Sequence, residues 1–191
     1  SSCASTDGYK YCFTVPTSFL LFRRNGCVFA SGNTGKSCSV AWAADYLLTK
    51  KVIKRVLIVA PLSILDCAWR SDLFKTLMHR RVDIAHGSQA KRRAVIESDA
   101  EFVIINYDGL DTMINELLRG GFDLIVCDEA TAIQNVKTVR WKRVNQLVGP
   151  QTWLWLLTGT PAAQSPDRAY GLAKLVNPNG VPKYQVAFKE Q

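Results

Sequence analysis

The chain has 191 residues, of which 48% are hydrophobic and 21% charged, a size and composition at which one domain buries its own core and which excludes a disordered or fibrous chain. Lysine and arginine outnumber aspartate and glutamate 24 to 16, for a formal charge of +8, which favours a polyanionic partner and fits a generally basic surface equally well. The six cysteines form no CxxC pair and are accompanied by only two histidines, His79 and His86. A zinc site is therefore not expected, and the cysteines read as core thiols of an intracellular protein.

Residues 1–25 are rich in Ser, Thr and aromatic side chains without a clear period and are expected to be irregular. The apolar stretch from Cys12 to Phe22 is not read as a secretory signal, because Pro16 interrupts it, Arg23 and Arg24 follow it and no methionine precedes it. From Gly26 onward, short β-branched runs alternate with longer amphipathic stretches. Strands are predicted at Cys27 to Ala30, Arg55 to Ala60, Val82 to Ala85, Phe102 to Asn106, Asp123 to Cys127 and Trp153 to Leu157. Helices are predicted at Lys36 to Thr49, Ile64 to Leu77, Gln89 to Glu97, Leu110 to Leu118, Thr138 to Leu147 and Arg168 to Leu175. This order describes an α/β fold, a RecA-like sandwich whose mostly parallel sheet carries helices on both faces. The strands are nearly all apolar, so both sheet faces are covered and ligand chemistry belongs just beyond the strands' carboxyl ends. No run reaches membrane-spanning length. After Val176, the residues Pro178, Gly180 and Pro182 mark an exit, so one domain is expected over 26–178 with an exit segment at 179–191.

Two segments carry nucleotide chemistry. Directly after the first predicted strand comes Ala30-Ser31-Gly32-Asn33-Thr34-Gly35-Lys36-Ser37, followed by a helix. In a strand, phosphate loop and helix of this kind, Gly32 and Gly35 let the backbone approach phosphate, and the amides of Gly32, Asn33, Thr34 and Gly35 supply positive potential. Lys36 reaches the β- and γ-phosphates, and Ser37 ligates magnesium. The second segment is the apolar run Phe122 to Cys127 ending in Asp128-Glu129. Asp128 suits a magnesium shell, and Glu129 the activation of an attacking water. Neither segment is specific alone; together they describe a P-loop NTPase.

These blocks resemble the first RecA-like lobe of superfamily 2 helicases and translocases, most closely the Swi/Snf-type and related phage-like DNA-dependent ATPases. Ala30 to Ser37 is similar to motif I, with Asn33 where glycine is common. Val56 to Leu65 followed by Trp69 resembles motif Ia, and Val103 to Leu110 resembles a later strand and turn that touches nucleic acid. Asp128-Glu129-Ala130-Thr131 resembles the Walker B box, with Thr131 where histidine or aspartate is commoner. Ile133-Gln134-Asn135 is similar to the Ile-Lys-Asn that follows that box, and Leu157-Thr158-Gly159-Thr160-Pro161 resembles motif III.

The resemblance implies ATP and Mg2+ as cofactors, with Lys36, Asp128, Glu129, Thr158 and Thr160 as catalytic residues. It also implies backbone contacts to nucleic acid, DNA ahead of RNA, through Pro61, Ser63, Asn106, Tyr107 and Gly109 without base readout. The implied protein is an intracellular monomer of cytoplasm or nucleus, or of host cytoplasm if viral. Residues 179–191 show no resemblance to the second lobe, whose arginine finger is worth about 10³ to 10⁵ in rate. Weak hydrolysis is thus expected of the lobe by itself. A non-catalytic nucleotide- or nucleic-acid-binding regulatory module stays open as the alternative, motivated by Asn33, by the first 25 residues and by the lack of any glutamine before Gln89 to read adenine. The basic run Lys91-Arg92-Arg93 and the cluster Lys137, Arg140, Lys142 and Arg143 fit phosphate contacts and solvated helix faces equally. Trp69, Trp153 and Trp155 read as core rather than as base-stacking surfaces.

Overall fold

Runs such as Val56-Leu57-Ile58-Val59-Ala60 and Phe102-Val103-Ile104-Ile105-Asn106 have no polar face to offer solvent, so they are stable only where helices cover both sides of a sheet. The computed structural model describes residues 12–15, 18–23, 27–31, 36–65, 69, 73, 76–158 and 166–182, with side chains from residue 37 onward except those of 166–168. Among the described residues the strands are β1 (Cys12–Val15), β2 (Ser18–Arg23), β3 (Cys27–Ser31), β4 (Val56–Ala60), β5 (Val82–Ile84), β6 (Phe102–Asn106), β7 (Leu124–Cys127) and β8 (Trp153–Leu157). They form one sheet in the order β1-β2-β3-β8-β7-β4-β6-β5. From β3 to β5 every pairing is parallel. Each crossover therefore carries a helix or loop back over a face of the sheet, and all carboxyl ends share one rim.

The helices are α1 (Lys36–Thr49), α2 (Gln89–Ile96), α3 (Tyr107–Thr112), α4 (Ile114–Arg119), α5 (Val139–Leu147) and α6 (Pro166–Val176). Successive residues of β4 point to opposite sides. Val56, Ile58 and Ala60 join a core with Val40, Ala41, Ala44 and Leu48 of α1 and with Leu65, Trp69, Leu73 and Leu77. Leu57 and Val59 join a second core with Ile96, Leu110, Leu117, Val144, Leu172 and Leu175, from the other five helices. The predicted helix from Ile64 to Leu77 lies largely outside the described residues. Its buried positions 65, 69, 73 and 77 keep a four-residue spacing, and 69, 73 and 76 are helical. No helix among the described residues is long and apolar enough to cross a membrane.

Two expectations change. The segment 1–25, expected to be irregular, contains β1 and β2, which pair antiparallel with each other and, through β2, with β3. Val15 faces Ser18, so only Pro16 and Thr17 separate the strands; runs of four and six residues are too short for a period of two to stand out. The helix expected over Leu110 to Leu118 begins three residues earlier and divides at Met113, whose backbone (φ −119, ψ 17) leaves the helical region.

The rim opposite the candidate site is tied by Arg55. Its guanidinium donates to the carbonyls of Ala100, Gly120 and Ile96 and lies 4.7 Å from the centre of the Phe122 ring. The Asp123 carboxylate accepts the amides of Lys54 and Arg55. Burial lowers the Arg55 pKa from its ordinary value, and the guanidinium remains charged. Lysine at this position has no planar fork with which to reach three carbonyls. Arg55→Lys is thus expected to lower the free energy of unfolding by about 2 kcal/mol, with one charge-assisted bond or more lost; urea denaturation of the two proteins measures the difference.

Candidate functional site

β3, β8 and β7 end side by side, and their register decides what meets at the rim. Ala30 pairs with Leu157, and Leu156 pairs with Cys127. Ser31, Thr158 and the pair Asp128-Glu129 therefore leave the sheet within about one residue of the same level. Neighbouring strands lie about 4.8 Å apart, so β3 and β7, separated by β8, end about 10 Å from one another. One ligand can touch both loop ends.

The helix α1 starts at Lys36, where the predicted phosphate loop ends, so its first-turn amides stand at that rim. Ser37 lies in this turn and is half-buried. Gly32, Asn33, Thr34, Gly35, the Lys36 side chain and Thr160 lie outside the described residues. Thr158 is fully buried directly after β8.

Asp128 is held from every side. Its amide donates to the carbonyl of Val59 at 2.8 Å, which extends the β4–β7 pairing by one bond. Its Oδ1 accepts the Glu129 amide at 2.9 Å, and its Oδ2 accepts the indole Nε1–H of Trp69 at 2.8 Å. Its carbonyl accepts the Tyr107 hydroxyl at 2.8 Å. Asp128 is 8% exposed, whereas Glu129 faces solvent. Burial, with Cys127, Asp128 and Glu129 nearby, holds the Tyr107 hydroxyl well above its ordinary pKa, so it stays protonated and remains a donor. Burial pushes the Cys127 thiol up to about 12, which keeps it a protonated core residue.

Glu129 has φ 50 and ψ 57, in the left-handed region; Lys51 is the other non-glycine residue with positive φ among those described. The chain leaves β7 through this turn into a 3-10 segment at Ala130–Ile133. Glycine would adopt the turn without strain, and glutamate costs about 1–2 kcal/mol there. A strained carboxylate at a strand's carboxyl end marks a position where the side chain matters more than backbone comfort. The Thr131 hydroxyl donates to Glu129 Oε1 at 2.9 Å. The hydroxyl of Ser37 and the carboxylate of Asp128 are hard oxygens, the donor type that magnesium prefers.

The positions predicted to touch nucleic acid divide. Pro61 is half-buried and Ser63 exposed, in the 3-10 turn Leu62–Ile64 that follows β4. Asn106, Tyr107 and Gly109 are buried, and the Tyr107 ring turns inward with its hydroxyl on the Asp128 carbonyl. A Cβ on Gly109 would sit 2.8 Å from the Ile105 side chain and 2.9 Å from Asn106 Oδ1, so this helix start packs against β6 at glycine distance. Asn106 Oδ1 is buried with no hydrogen-bond partner among the described residues.

The basic clusters also resolve. Arg93 pairs with Glu116, Arg140 with Asp108 and Arg143 with Asp111. These arginines brace α2 against α4 and α5 against α3. The last two pairs border a cavity of about 420 Å³ between α3 and α5. Lys91, Lys137 and Lys142 are exposed. Trp69 and Trp155 are buried and Trp153 is half-buried, as expected of core residues. The segment after the acids is clamped by α6. A side chain on Gly171 would run into the Gln134 carbonyl, and Trp141 donates to the Gly171 carbonyl at 2.8 Å.

Sequence reasoning missed the grip of Trp69 and Tyr107 on Asp128. The available signal was that a core tryptophan or tyrosine needs a partner for its N–H or O–H, and an acid ending a neighbouring strand is a nearby acceptor.

Residues 23–191 match the SNF2-related domain family. The chain is 25% identical over 171 residues to the DNA repair and recombination protein RAD54 of Oryza sativa subsp. japonica, covering 81% of this chain and 17% of that protein. It is 31% identical over 131 residues to mouse RAD54B, covering 68% of this chain and 14% of that protein. To the SWI/SNF-related matrix-associated actin-dependent regulator of chromatin subfamily A-like protein 1 of Xenopus tropicalis it is 26% identical over 184 residues, covering 88% and 18%. The chain thus spans less than a fifth of the length of these relatives. The SWI2/SNF2 ATPase core of Sulfolobus solfataricus in complex with dsDNA superposes with a TM-score of 0.73 at 24% identity, over 87% of this chain and 34% of that one. It shares the RecA-like fold.

The strain at Glu129 has a measurable consequence. Glu129→Gly removes the steric penalty of the left-handed turn and gives back part of that gain as chain entropy, so the free energy of unfolding is expected to rise by about 0.5–1 kcal/mol. Thermal or urea unfolding reads this, and a clear loss of stability would mean that the carboxylate holds the turn together.

Proposed function

Since this chain belongs to the SNF2-related domain family, we propose that it is the ATP-binding lobe of a nucleic-acid-dependent motor that couples ATP hydrolysis to movement on DNA. The single observation that carries the reading is the shared rim. The register of β3, β8 and β7 sets the phosphate-loop strand, Thr158 and the Asp128-Glu129 pair at one level, the arrangement that phosphoryl transfer to water requires.

In this reading Gly32, Asn33, Thr34, Gly35 and Lys36 cradle the triphosphate. Ser37 and Asp128 hold magnesium, which neutralises charge on the phosphate oxygens. Glu129 orients and deprotonates the attacking water from the exposed side of the rim, with the Thr131 hydroxyl fixing one carboxylate oxygen. Thr158 and Thr160 sense the γ-phosphate. The lobe comprises residues 26–178, and a second RecA-like lobe closes over the same rim to complete the site.

DNA is favoured over RNA because the relatives include proteins named for DNA repair and recombination, and the superposed archaeal core is described in complex with dsDNA. The contact surface begins at the turn Pro61–Ser63, with the backbone of Asn106–Gly109 beside it, and holds phosphates without reading bases. The setting is intracellular, beside nucleic acid.

Glu129→Gln tests the assignment in the full-length protein. Loss of a general base costs about 10² to 10⁴ in rate, so DNA-stimulated phosphate release is expected to fall by that factor while nucleotide affinity changes less than about tenfold. Stimulated hydrolysis that survives the substitution would sink the assignment of Glu129. A parent protein that hydrolyses nothing with DNA present would instead favour a regulatory binding module.

A further inference from the structure

Trp69 is fully buried, yet its polar edge points at a charged group 59 positions away in sequence. An indole N–H has one proton to donate and no acceptor capacity, and leaving it unsatisfied in a core costs about 1–3 kcal/mol. It spends that proton on Asp128 Oδ2, while the Glu129 amide takes Oδ1. The carboxylate is therefore clamped by a donor on each oxygen, with its plane fixed. A carboxylate offers about four lone-pair positions, more than these two donors use.

The donor's origin adds to this. Trp69 follows β4 within the same crossover as the exposed turn Leu62–Ile64, and its side chain packs in the core beneath α1. The opposite end of residue 128 is held by Tyr107, the first residue of α3, which follows β6 directly. Both segments proposed to face DNA thus send one aromatic donor each to the residue proposed to hold magnesium.

We propose that Trp69 is a positioning residue for Asp128: its indole N–H fixes the carboxylate for the divalent cation and ties the crossover after β4 to occupancy of the metal site. The inference rests on the proposed nucleotide-binding reading and deepens it. Partners of this kind, one bond behind a metal ligand, change metal affinity about 10- to 100-fold when removed.

Two measurements test it. In the protein saturated with ADP, Mn2+ binding followed by electron paramagnetic resonance is expected to weaken at least about tenfold in Trp69→Phe, which keeps an aromatic ring in the core and loses only the N–H. In the parent protein, the indole ¹H–¹⁵N resonance assigned to Trp69 is expected to shift when Mg2+ is added to the ADP complex and to return when the metal is chelated. A residue that merely fills the core shows neither effect. If Trp69→Phe fails to fold, the resonance in the parent protein still decides. Mn2+ affinity unchanged in a folded variant, or a resonance indifferent to metal, overturns the proposal while leaving nucleotide binding intact. A parent protein that binds neither ADP nor Mn2+ overturns this proposal and the nucleotide reading together.

Discussion

The parallel register of β3, β8 and β7 is the constraint from which the rest of the site follows. A parallel sheet delivers every carboxyl end to the same rim, and here three neighbouring strands deliver Ser31, Thr158 and the Asp128-Glu129 pair within about one residue of level. β7 and β8 keep that register because each is apolar on both faces and is packed from both sides. Slipping one strand by a residue would exchange its two faces and carry its terminal polar residue out of line. Core packing and site geometry are therefore set by the same interaction.

The rim treats its two acids in opposite ways. Asp128 is buried and immobilised, with its amide, its carbonyl and both carboxylate oxygens engaged. Glu129 is exposed and sits on a left-handed turn held at some cost in conformational energy. A metal ligand gains from being fixed before the metal arrives, and a group that handles water gains from reaching solvent. The proposed division of labour between them rests on this difference of environment. The far rim serves stability instead, through Arg55 and Asp123 closing backbone groups that no strand can reach.

Much of this was legible in the sequence, for physical reasons that differ from residue to residue. The six central strands announce themselves because fully buried strands need unbroken apolar runs, and Phe102–Asn106 and Trp153–Leu157 fall where those runs predict. The acids at 128 and 129 are legible only beside the phosphate-loop pattern at 30–37, since many strands end in solvated acids. The hairpin β1–β2 was not, since strands of four and six residues around Pro16-Thr17 carry no period. Nor was the inward turn of Tyr107, which depends on a hydrogen bond across 21 positions. Motif resemblance marked Tyr107 as part of a turn that touches nucleic acid through its backbone and gave no sign of its bond to Asp128. Long-range side-chain bonds leave no local trace, so the support behind a metal ligand is the part of a site that composition and spacing show least.

The most direct test is a crystal structure of the chain with magnesium and a non-hydrolysable ATP analogue. The proposed reading expects the β- and γ-phosphates between the start of α1 and the end of β7, with magnesium held by Ser37 and Asp128 and with Glu129 facing the γ-phosphate. Nucleotide bound away from that rim, or magnesium bound without Asp128 in its shell, would contradict it.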